Sequence, residues 1–227
     1  MIDKKTYEQI VGKRIRHDIL LKYETTAKLI RKYKRGKLKI LDIGCGQGIF
    51  SFYADKNWSI VGIDMDKDRI ARANNIDRNN TKFCLRSAEN FKFNEKFDVV
   101  IALDIIEHLD NPQKSLDSAF GAMKDDGILI VSNPNRYSVW NVLNNLVHLE
   151  DHKHYWRPGK FGEMAKKSGF DMVDVLPRPM LSEGVGWAMD DYRKIQKTDL
   201  KLGRTLPFFA TGWFLVFRKS DNVYKTR

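Results

Sequence analysis

Acidic and histidine side chains are concentrated in two short segments of the chain. The first segment, DIIEHL, places Asp104, Glu107 and His108 at positions i, i+3 and i+4, which share one face if the segment is helical. The second segment, HLEDHKHYW, supplies His148, Glu150, Asp151, His152 and His154. An imidazole suits general-base catalysis near neutral pH, whereas carboxylates combined with imidazole suit Mg²⁺ or Mn²⁺. A base, a metal site and a structural brace for a loop are three open interpretations of this pattern.

A glycine-rich turn, LDIGCGQG at residues 41–48, follows an apolar run. Such a turn between a strand and a helix lets a ligand approach the backbone closely. The pattern G-x-G-x-G differs from the dinucleotide fingerprint G-x-G-x-x-G. Asp42, at the end of the strand, would repel a pyrophosphate and attract an amino group, and Asp64 is spaced like an acid that binds ribose hydroxyls. The pattern therefore favours S-adenosylmethionine, which carries an ammonium, a sulfonium and a ribose but no phosphate.

Alternating strands and helices are expected to position these groups. Residues 13–34 show helical periodicity up to Gly36, and Asn111 followed by Pro112 is typical of a helix start. The order of elements predicts βαβ units in a mainly parallel sheet. The predicted strands lie in the segments KLKILDIG, WSIVGIDM, TKFCLRS, KFDVVIALDII and DDGILIVSN, with GIFSFYADK as a helix start and DKDRIARANNID as a helix.

The C-terminal third changes character. Residues 138–149 and the segment GKFGEMAKKSGF, which ends at Gly169, are predicted as helices, and FDMVDVLP and FATGWFLVFRK as strands. The long connection over residues 178–207 is typical of a lid or a binding segment. We expect a single domain with an N-terminal helical cap (1–37), a cofactor-binding half (38–133) and a substrate-side half (134–227).

Charge and composition restrict the class of protein. The net charge of the 227 residues is +11, and residues 1–39 alone hold 13 Lys and Arg against 4 Asp and Glu. This segment is interpreted either as a face that meets a polyanion or as a solvated basic helix. With two cysteines, no secretory signal and no apolar run of about 18 residues, we expect a cytoplasmic protein without a membrane span.

Six segments together carry a family resemblance over about residues 38–177. LDIGCGQG resembles motif I of the class I S-adenosylmethionine-dependent methyltransferases, and VGIDM, RSAEN, FDVVIALDIIEHL, DDGILIVSNPN and DHKHYWRPGKFGEMAKKSGF resemble later motifs in the same order. The chain is similar to the subgroup around the ubiquinone-biosynthesis O-methyltransferases. The resemblance implies a Rossmann-like, doubly wound α/β fold with a seven-stranded sheet whose last strand is antiparallel. It also implies methyl transfer from S-adenosylmethionine to a nucleophile.

The same resemblance implies roles for individual residues. The methionine part of the cofactor would face Asp42 and lie over Leu103, and its ribose hydroxyls would bind Asp64. Ser87 stands where the family often has an acid, and Arg16 is a candidate for the cofactor carboxylate. The remaining cofactor-binding positions implied are Gly44, Cys45 and Gly46 along the backbone, Met65 against the adenine, and Ala88 and Glu89 at its edge.

Methylation of a hydroxyl requires removal of its proton, so His108 and His152 are predicted as general bases. DIIEHL with a later histidine also resembles the small-RNA 3′-terminal 2′-O-methyltransferases, which bind a metal through two Glu and two His; Asp104 stands at the first Glu position. No residue is assigned to a metal. The expected acceptor is a small molecule or a lipid- or sugar-linked intermediate. RNA methylation and a non-catalytic cofactor-binding scaffold remain alternatives, although no RNA-binding module is recognisable and the glycine loop is intact.

Overall fold

The computed structural model describes residues 4–11, 17–76, 78–135, 138, 152–178 and 210–220. Helices and strands alternate along most of this part of the chain, as the sequence predicts. The helices are α1 (Lys4–Val11), α2 (His17–Tyr33), α3 (Lys67–Asn74), α4 (Pro112–Ala122) and α5 (Pro158–Lys167), with 3₁₀ turns at Ile49–Tyr53 and Ile106–His108. The strands are β1 (Leu38–Ile43), β2 (Trp58–Asp64), β3 (Thr81–Leu85), β4 (Phe97–Leu103), β5 (Met123–Pro134), β6 (Phe170–Pro177) and β7 (Gly212–Lys219).

The seven strands form one sheet in the order β3-β2-β1-β4-β5-β7-β6. Strands β1 to β5 pair in parallel, and β7 runs antiparallel between β5 and β6. This arrangement confirms the predicted doubly wound sheet with an antiparallel last strand. The carboxyl ends of β1 to β6 and the start of β7 therefore lie along one edge, where ligands of open α/β sheets bind.

Two apolar layers cover the two faces of the sheet. Alternate residues of β4 point to opposite faces, so Val100 packs in one layer and Val99 in the other. The first layer includes residues of α4 and α5, such as Leu116 and Phe161, and the second includes residues of α2, such as Ile30. Helix α2, rich in Lys and Arg, is thus packed on the sheet through its apolar side.

Several local predictions differ from the structure. Helix α1 falls within the expected N-terminal helical cap but was not predicted as a separate helix, and the expected helix start after the glycine loop is a 3₁₀ turn. Asp104, Glu107 and His108 do not share a helical face, because Asp104 has a φ of +52° and the segment continues as a short 3₁₀ turn. Most of the predicted 138–149 helix and of the 178–207 connection lie outside the described residues, as does Arg16. In the described part, no helix combines the length and apolar character needed to cross a bilayer.

Candidate active site

The glycine loop lies at the carboxyl end of β1. Gly44, Gly46 and Gly48 all have positive φ, between +53° and +73°, a conformation that residues with a Cβ adopt at a cost. A Cβ on Gly44 would lie 2.6 Å from Cγ1 of Ile105, but a Cβ on Gly46 would meet no atom within 4 Å. Gly44 therefore allows the loop to pack against the segment after β4. Gly46 borders open space, in which a ligand can contact the backbone of the loop.

Asp64 fixes the loop from the end of β2. Its Oδ2 accepts a hydrogen bond from the Gly46 N–H at 2.9 Å, and its Oδ1 accepts one from the Asp66 N–H at 2.9 Å. The next residue, Met65, is 70% exposed, and Leu85 at the end of β3 is 56% exposed. Large apolar side chains at this edge offer a surface that a planar base would cover. These features fit the ribose and adenine of S-adenosylmethionine.

Asp42 and Cys45 are the two buried titratable members of the predicted cofactor set. Burial raises the pKa of the Asp42 carboxyl to about 8, an effect that the charge of Lys22 opposes and that of Asp64 reinforces. An ammonium group beside Asp42 would reverse this shift and ionise the carboxyl. Cys45 is 4% exposed, and burial raises the pKa of its thiol. Its side chain belongs to a third, smaller apolar cluster that includes Phe83, so its backbone is the part of this residue that can face a ligand.

Glu89 has a contact that the sequence did not indicate. Its Oε1 accepts hydrogen bonds from the N–H groups of Asp110 at 2.6 Å and Asn111 at 3.0 Å. The carboxylate thus supports the turn before α4, where Asn111 caps the helix. Ala88 and Leu103 are buried in the apolar layers near this edge. The predicted contacts of these three residues with the cofactor stay predictions.

Asp104, the residue after β4, accepts hydrogen bonds from two cations. Lys22 Nζ donates to its Oδ2 at 2.9 Å, and Arg178 Nη1 and Ser132 Oγ donate to its Oδ1, each at 2.6 Å. Burial alone would raise the pKa of Asp104, but the charges of Arg178 and Lys22 outweigh it and hold the pKa well below its usual range. The left-handed backbone at Asp104 costs on the order of 1 kcal/mol. Asp104 is therefore a fixed carboxylate at the centre of an ion-pair network.

Glu107, His108 and His152 form a separate cluster. One possible ligand atom from each lies within 4.8 Å of the others, and the rings of His108 and His152 have centroids 4.7 Å apart. Glu107 is fully buried, and among the described residues neither of its carboxyl oxygens has a hydrogen-bond partner. Burial, with the charge of Asp104, raises the pKa of Glu107 to about 8. The cluster can hold a divalent cation or exchange a proton near neutral pH.

The two segments that carry the predicted histidines are joined through the backbone. The Glu107 carbonyl accepts hydrogen bonds from the N–H groups of Lys153 and His154, at 3.0 and 3.1 Å. Tyr155, which sequence reasoning missed, places its hydroxyl 3.1 Å from Nδ1 of His152. His154 lies apart from the cluster, with Nε2 at 3.0 Å from the Leu109 carbonyl. The remaining candidates, His148, Glu150 and Asp151, lie outside the described residues.

A family model described as "Methyltransferase domain" matches residues 14–175. The chain belongs to this family. The predicted class, an S-adenosylmethionine-dependent methyltransferase domain, is thereby confirmed, and S-adenosylmethionine is its cofactor.

Two curated relatives show which methyltransferases of known name the chain is similar to. The ubiquinone biosynthesis O-methyltransferase of Rickettsia canadensis (strain McKiel) is 27% identical over 153 residues, which cover 61% of this chain and 65% of the relative. The enzyme of the same name from Glaesserella parasuis serovar 5 is 34% identical over 108 residues, covering 43% of this chain and 46% of the relative. The similarity therefore spans less than two thirds of either relative.

Solved structures confirm the fold. A SAM-dependent methyltransferase from Archaeoglobus fulgidus aligns with a TM-score of 0.62 at 21% identity, covering 94% of this chain and 97% of the other. The plantazolicin methyltransferase BpumL in complex with a monoazolic desmethylPZN analog and SAH aligns with a TM-score of 0.62 at 19% identity, covering 90% and 84%.

Proposed function

We propose that this protein transfers the methyl group of S-adenosylmethionine to a hydroxyl of a small molecule, or of a lipid- or sugar-linked intermediate. The observation that carries the proposal is the Glu107–His108–His152 cluster beside the cofactor loop. Gly44 packs against Ile105, and the 3₁₀ turn that holds Glu107 and His108 begins one residue later. The names of the curated relatives support O-methylation.

S-adenosylmethionine, when bound, supplies an activated methyl group on sulfur. The chain's own residues then have three tasks. The loop backbone around Gly46 and the Asp64 carboxylate bind and orient the nucleoside part. His108 or His152 accepts the proton of the acceptor hydroxyl as its oxygen takes the methyl group, and Tyr155 orients the His152 ring. The nearby Glu107 carboxyl loses its proton more readily beside a positive charge, and as a carboxylate it stabilises the imidazolium that results.

Alanine variants of the two histidines test the base. His108→Ala and His152→Ala should keep their affinity for S-adenosylhomocysteine within about twofold, because the predicted cofactor contacts lie on the glycine loop and at Asp64 rather than at these two residues. Turnover should fall by roughly 10²–10⁴-fold, measured as transfer of labelled methyl into a pool of hydroxylated aromatic and lipid acceptors. The matched control is His154→Ala, because this ring stacks on Trp156 outside the cluster. Turnover at the wild-type rate in both His108→Ala and His152→Ala would contradict the proposal that one of these histidines is the general base.

A divalent cation is a second candidate for activating the acceptor. The carboxylate and imidazole groups that Mg²⁺ or Mn²⁺ binds are supplied by Glu107, His108 and His152. The buried Glu107 oxygens have no hydrogen-bond partner among the described residues. A cation held there would lower the pKa of a hydroxyl bound to it. In this case a chelator should abolish turnover, and added Mg²⁺ or Mn²⁺ should restore it.

Direct Mn²⁺ titration followed by paramagnetic resonance gives a readout that is independent of turnover. Binding that is lost in Glu107→Gln and kept in His154→Ala supports the cation. Turnover that resists the chelator but requires the histidines supports the base instead. Full turnover of both histidine variants in the presence of chelator leaves the cluster as a brace for the loop.

RNA as acceptor, the cytoplasmic location and the division into two halves stay predictions.

A further inference from the structure

Two largely buried cations converge on Asp104 from distant parts of the chain. Lys22 lies on α2, 82 residues before Asp104, and Arg178 follows β6, 74 residues after it. The side chains of Lys22 and Arg178 are each only 11% exposed. Burial by itself would lower the pKa of Lys22, but the Asp104 carboxylate outweighs this effect and raises it, so the ammonium stays charged. Two positive charges are thus held in place at the ligand-binding edge of the sheet.

Through Asp104, these cations lie next to both parts of the site, because β4 pairs with β1, which carries Asp42, and the turn that holds Glu107 begins two residues after Asp104. Lys22 acts electrostatically on Asp42, which belongs to the predicted cofactor set. Both Lys22 and Arg178 act on Glu107, which belongs to the histidine cluster. An acceptor whose hydroxyl reaches both the histidines and the cofactor methyl would therefore lie close to Lys22 and Arg178.

A purely structural purpose explains this arrangement poorly. Removing two cations and a carboxylate from water carries a desolvation penalty that the ion pairs only partly recover, and well-packed apolar side chains often stabilise a protein as much. Asp104 also has the only positive φ recorded for a non-glycine residue among those the structure describes. Strained, charged sites of this kind are concentrated where proteins bind ligands. Guanidinium and ammonium groups in a water-poor cleft bind carboxylate and phosphate groups strongly.

We infer that Lys22 and Arg178 form a receptor for an anionic group, a carboxylate or phosphate, on the methyl acceptor. Asp104 is the positioning residue that holds the two cations at the correct place and keeps them charged. The substrate class is then an acidic hydroxylated molecule, in which the anion lies on one side of the site and the hydroxyl at the histidines. This inference rests on the proposed methyl transfer, whose acceptor it specifies.

Small anions test the receptor without turnover. Benzoate and inorganic phosphate are titrated by calorimetry into the protein saturated with S-adenosylhomocysteine, and benzamide serves as the neutral analogue of benzoate. We expect saturable binding of at least one anion and none of benzamide. Lys22→Met and Arg178→Met should each lower the affinity for the anion by at least about tenfold. Lys32→Met, which removes an exposed cation of α2, the helix that carries Lys22, should leave this affinity unchanged.

Asp104→Asn gives the sharpest result, because the inference predicts the opposite sign. The Asn side chain keeps an oxygen acceptor for the two donors but no longer competes as an anion, and an external anion takes over the role of keeping Lys22 charged, so the affinity for benzoate or phosphate should rise. A purely structural ion-pair network predicts no change or a loss. Equal binding of benzoate and benzamide, anion affinity unaffected by Lys22→Met and Arg178→Met, or no saturable anion binding would overturn the inference.

The cofactor's own carboxylate is the other source of an anion at this place. 5′-Methylthioadenosine lacks the amino-acid part of S-adenosylhomocysteine, so the two compounds separate the sources. If Lys22→Met and Arg178→Met weaken the binding of S-adenosylhomocysteine but not that of 5′-methylthioadenosine, the cations bind the cofactor carboxylate and the inference is wrong. Anion binding that depends on Lys22 and Arg178 in a protein that transfers no methyl group would contradict the proposed function alone.

Discussion

The proposed cofactor side and the proposed acceptor side of the site are built in different ways. On the cofactor side, β1, the glycine loop and β2 supply Asp42, Gly46 and Asp64 from one continuous stretch, and the backbone conformation defines the loop. On the acceptor side, side chains from α2, the end of β4 and the end of β6 meet at Asp104. The first construction depends on local conformation and the second on long-range ion pairs. The two sides should therefore respond separately to substitution.

The largest separation is expected at two glycines with similar backbones. Gly46 and Gly36 have φ of +53° and +82°, and a Cβ on either would meet no atom within 4 Å. Gly46→Leu and Gly36→Leu should therefore lose similar free energies of unfolding, about 1–2 kcal/mol each, from left-handed strain. Only Gly46→Leu should weaken the binding of S-adenosylhomocysteine, by more than about 100-fold, because the new side chain fills the space that the ligand occupies. Equal affinities of the two variants in calorimetry would remove Gly46 from the cofactor site.

A smaller effect is expected at two neighbouring acids. Asp64→Ala removes the acceptor that would bind the ribose hydroxyls and that fixes the Gly46 N–H. We expect a loss of S-adenosylhomocysteine affinity of about 10–100-fold, the equivalent of one hydrogen bond to a charged group at roughly 1.5–3 kcal/mol, because water replaces part of the lost contacts. Asp66→Ala is the control, because Asp66 caps α3 and should affect stability by about 1 kcal/mol without affecting affinity. Affinities that fall equally in both would indicate a general disturbance of the loop.

Asp42 should make the cofactor side sensitive to pH. Its pKa rises from 3.8 to about 8 on folding, so between these values the folded protein keeps a proton that the unfolded chain has lost. The stability of the free protein should therefore fall as the pH rises through this window, and Asp42→Asn should reduce the slope. Binding of a ligand ammonium should release this proton near pH 7. Calorimetry in two buffers of different ionisation enthalpy measures the release, and a wild-type value equal to that of Asp42→Asn would contradict it.

The smallest effects are expected on the basic N-terminal segment. Carboxylates lie within ion-pair distance of Lys28, Arg31, Lys32 and Lys34 of this segment. These pairings favour a surface neutralised by the protein itself over a polyanion-binding face. Lys32→Met/Lys34→Met should shift the melting temperature by less than about 2 °C and leave turnover unchanged between low and physiological salt. A steep loss of activity with salt would instead support a polyanionic partner.

The same contrast explains what could be predicted from the sequence. The positions of the strands and the glycine loop could be predicted from local patterns: apolar runs, turn glycines and acids at strand ends. The antiparallel last strand was implied by the family resemblance, and the order of the strands in the sheet was not predicted. The pairing of Asp104 with Lys22 and Arg178 could not be predicted, because it depends on the way α2 and β6 reach the same edge. The same holds for the contact of Glu89 with the turn before α4. His108 and His152 were named as candidate bases from their residue type and the carboxylates beside them. The structure brings their rings together because the Glu107 carbonyl binds the backbone of Lys153 and His154, a contact that the sequence did not indicate.

The independence of the two sides is tested most directly by calorimetry of S-adenosylhomocysteine binding to the wild-type protein and to His108→Ala/His152→Ala. The account predicts that the wild-type protein binds with one site per chain and that the double variant binds with an affinity within about twofold. A wild-type protein that does not bind, or a double variant whose affinity falls by tenfold or more, would contradict the separation of a backbone-built cofactor side from a side-chain-built acceptor side.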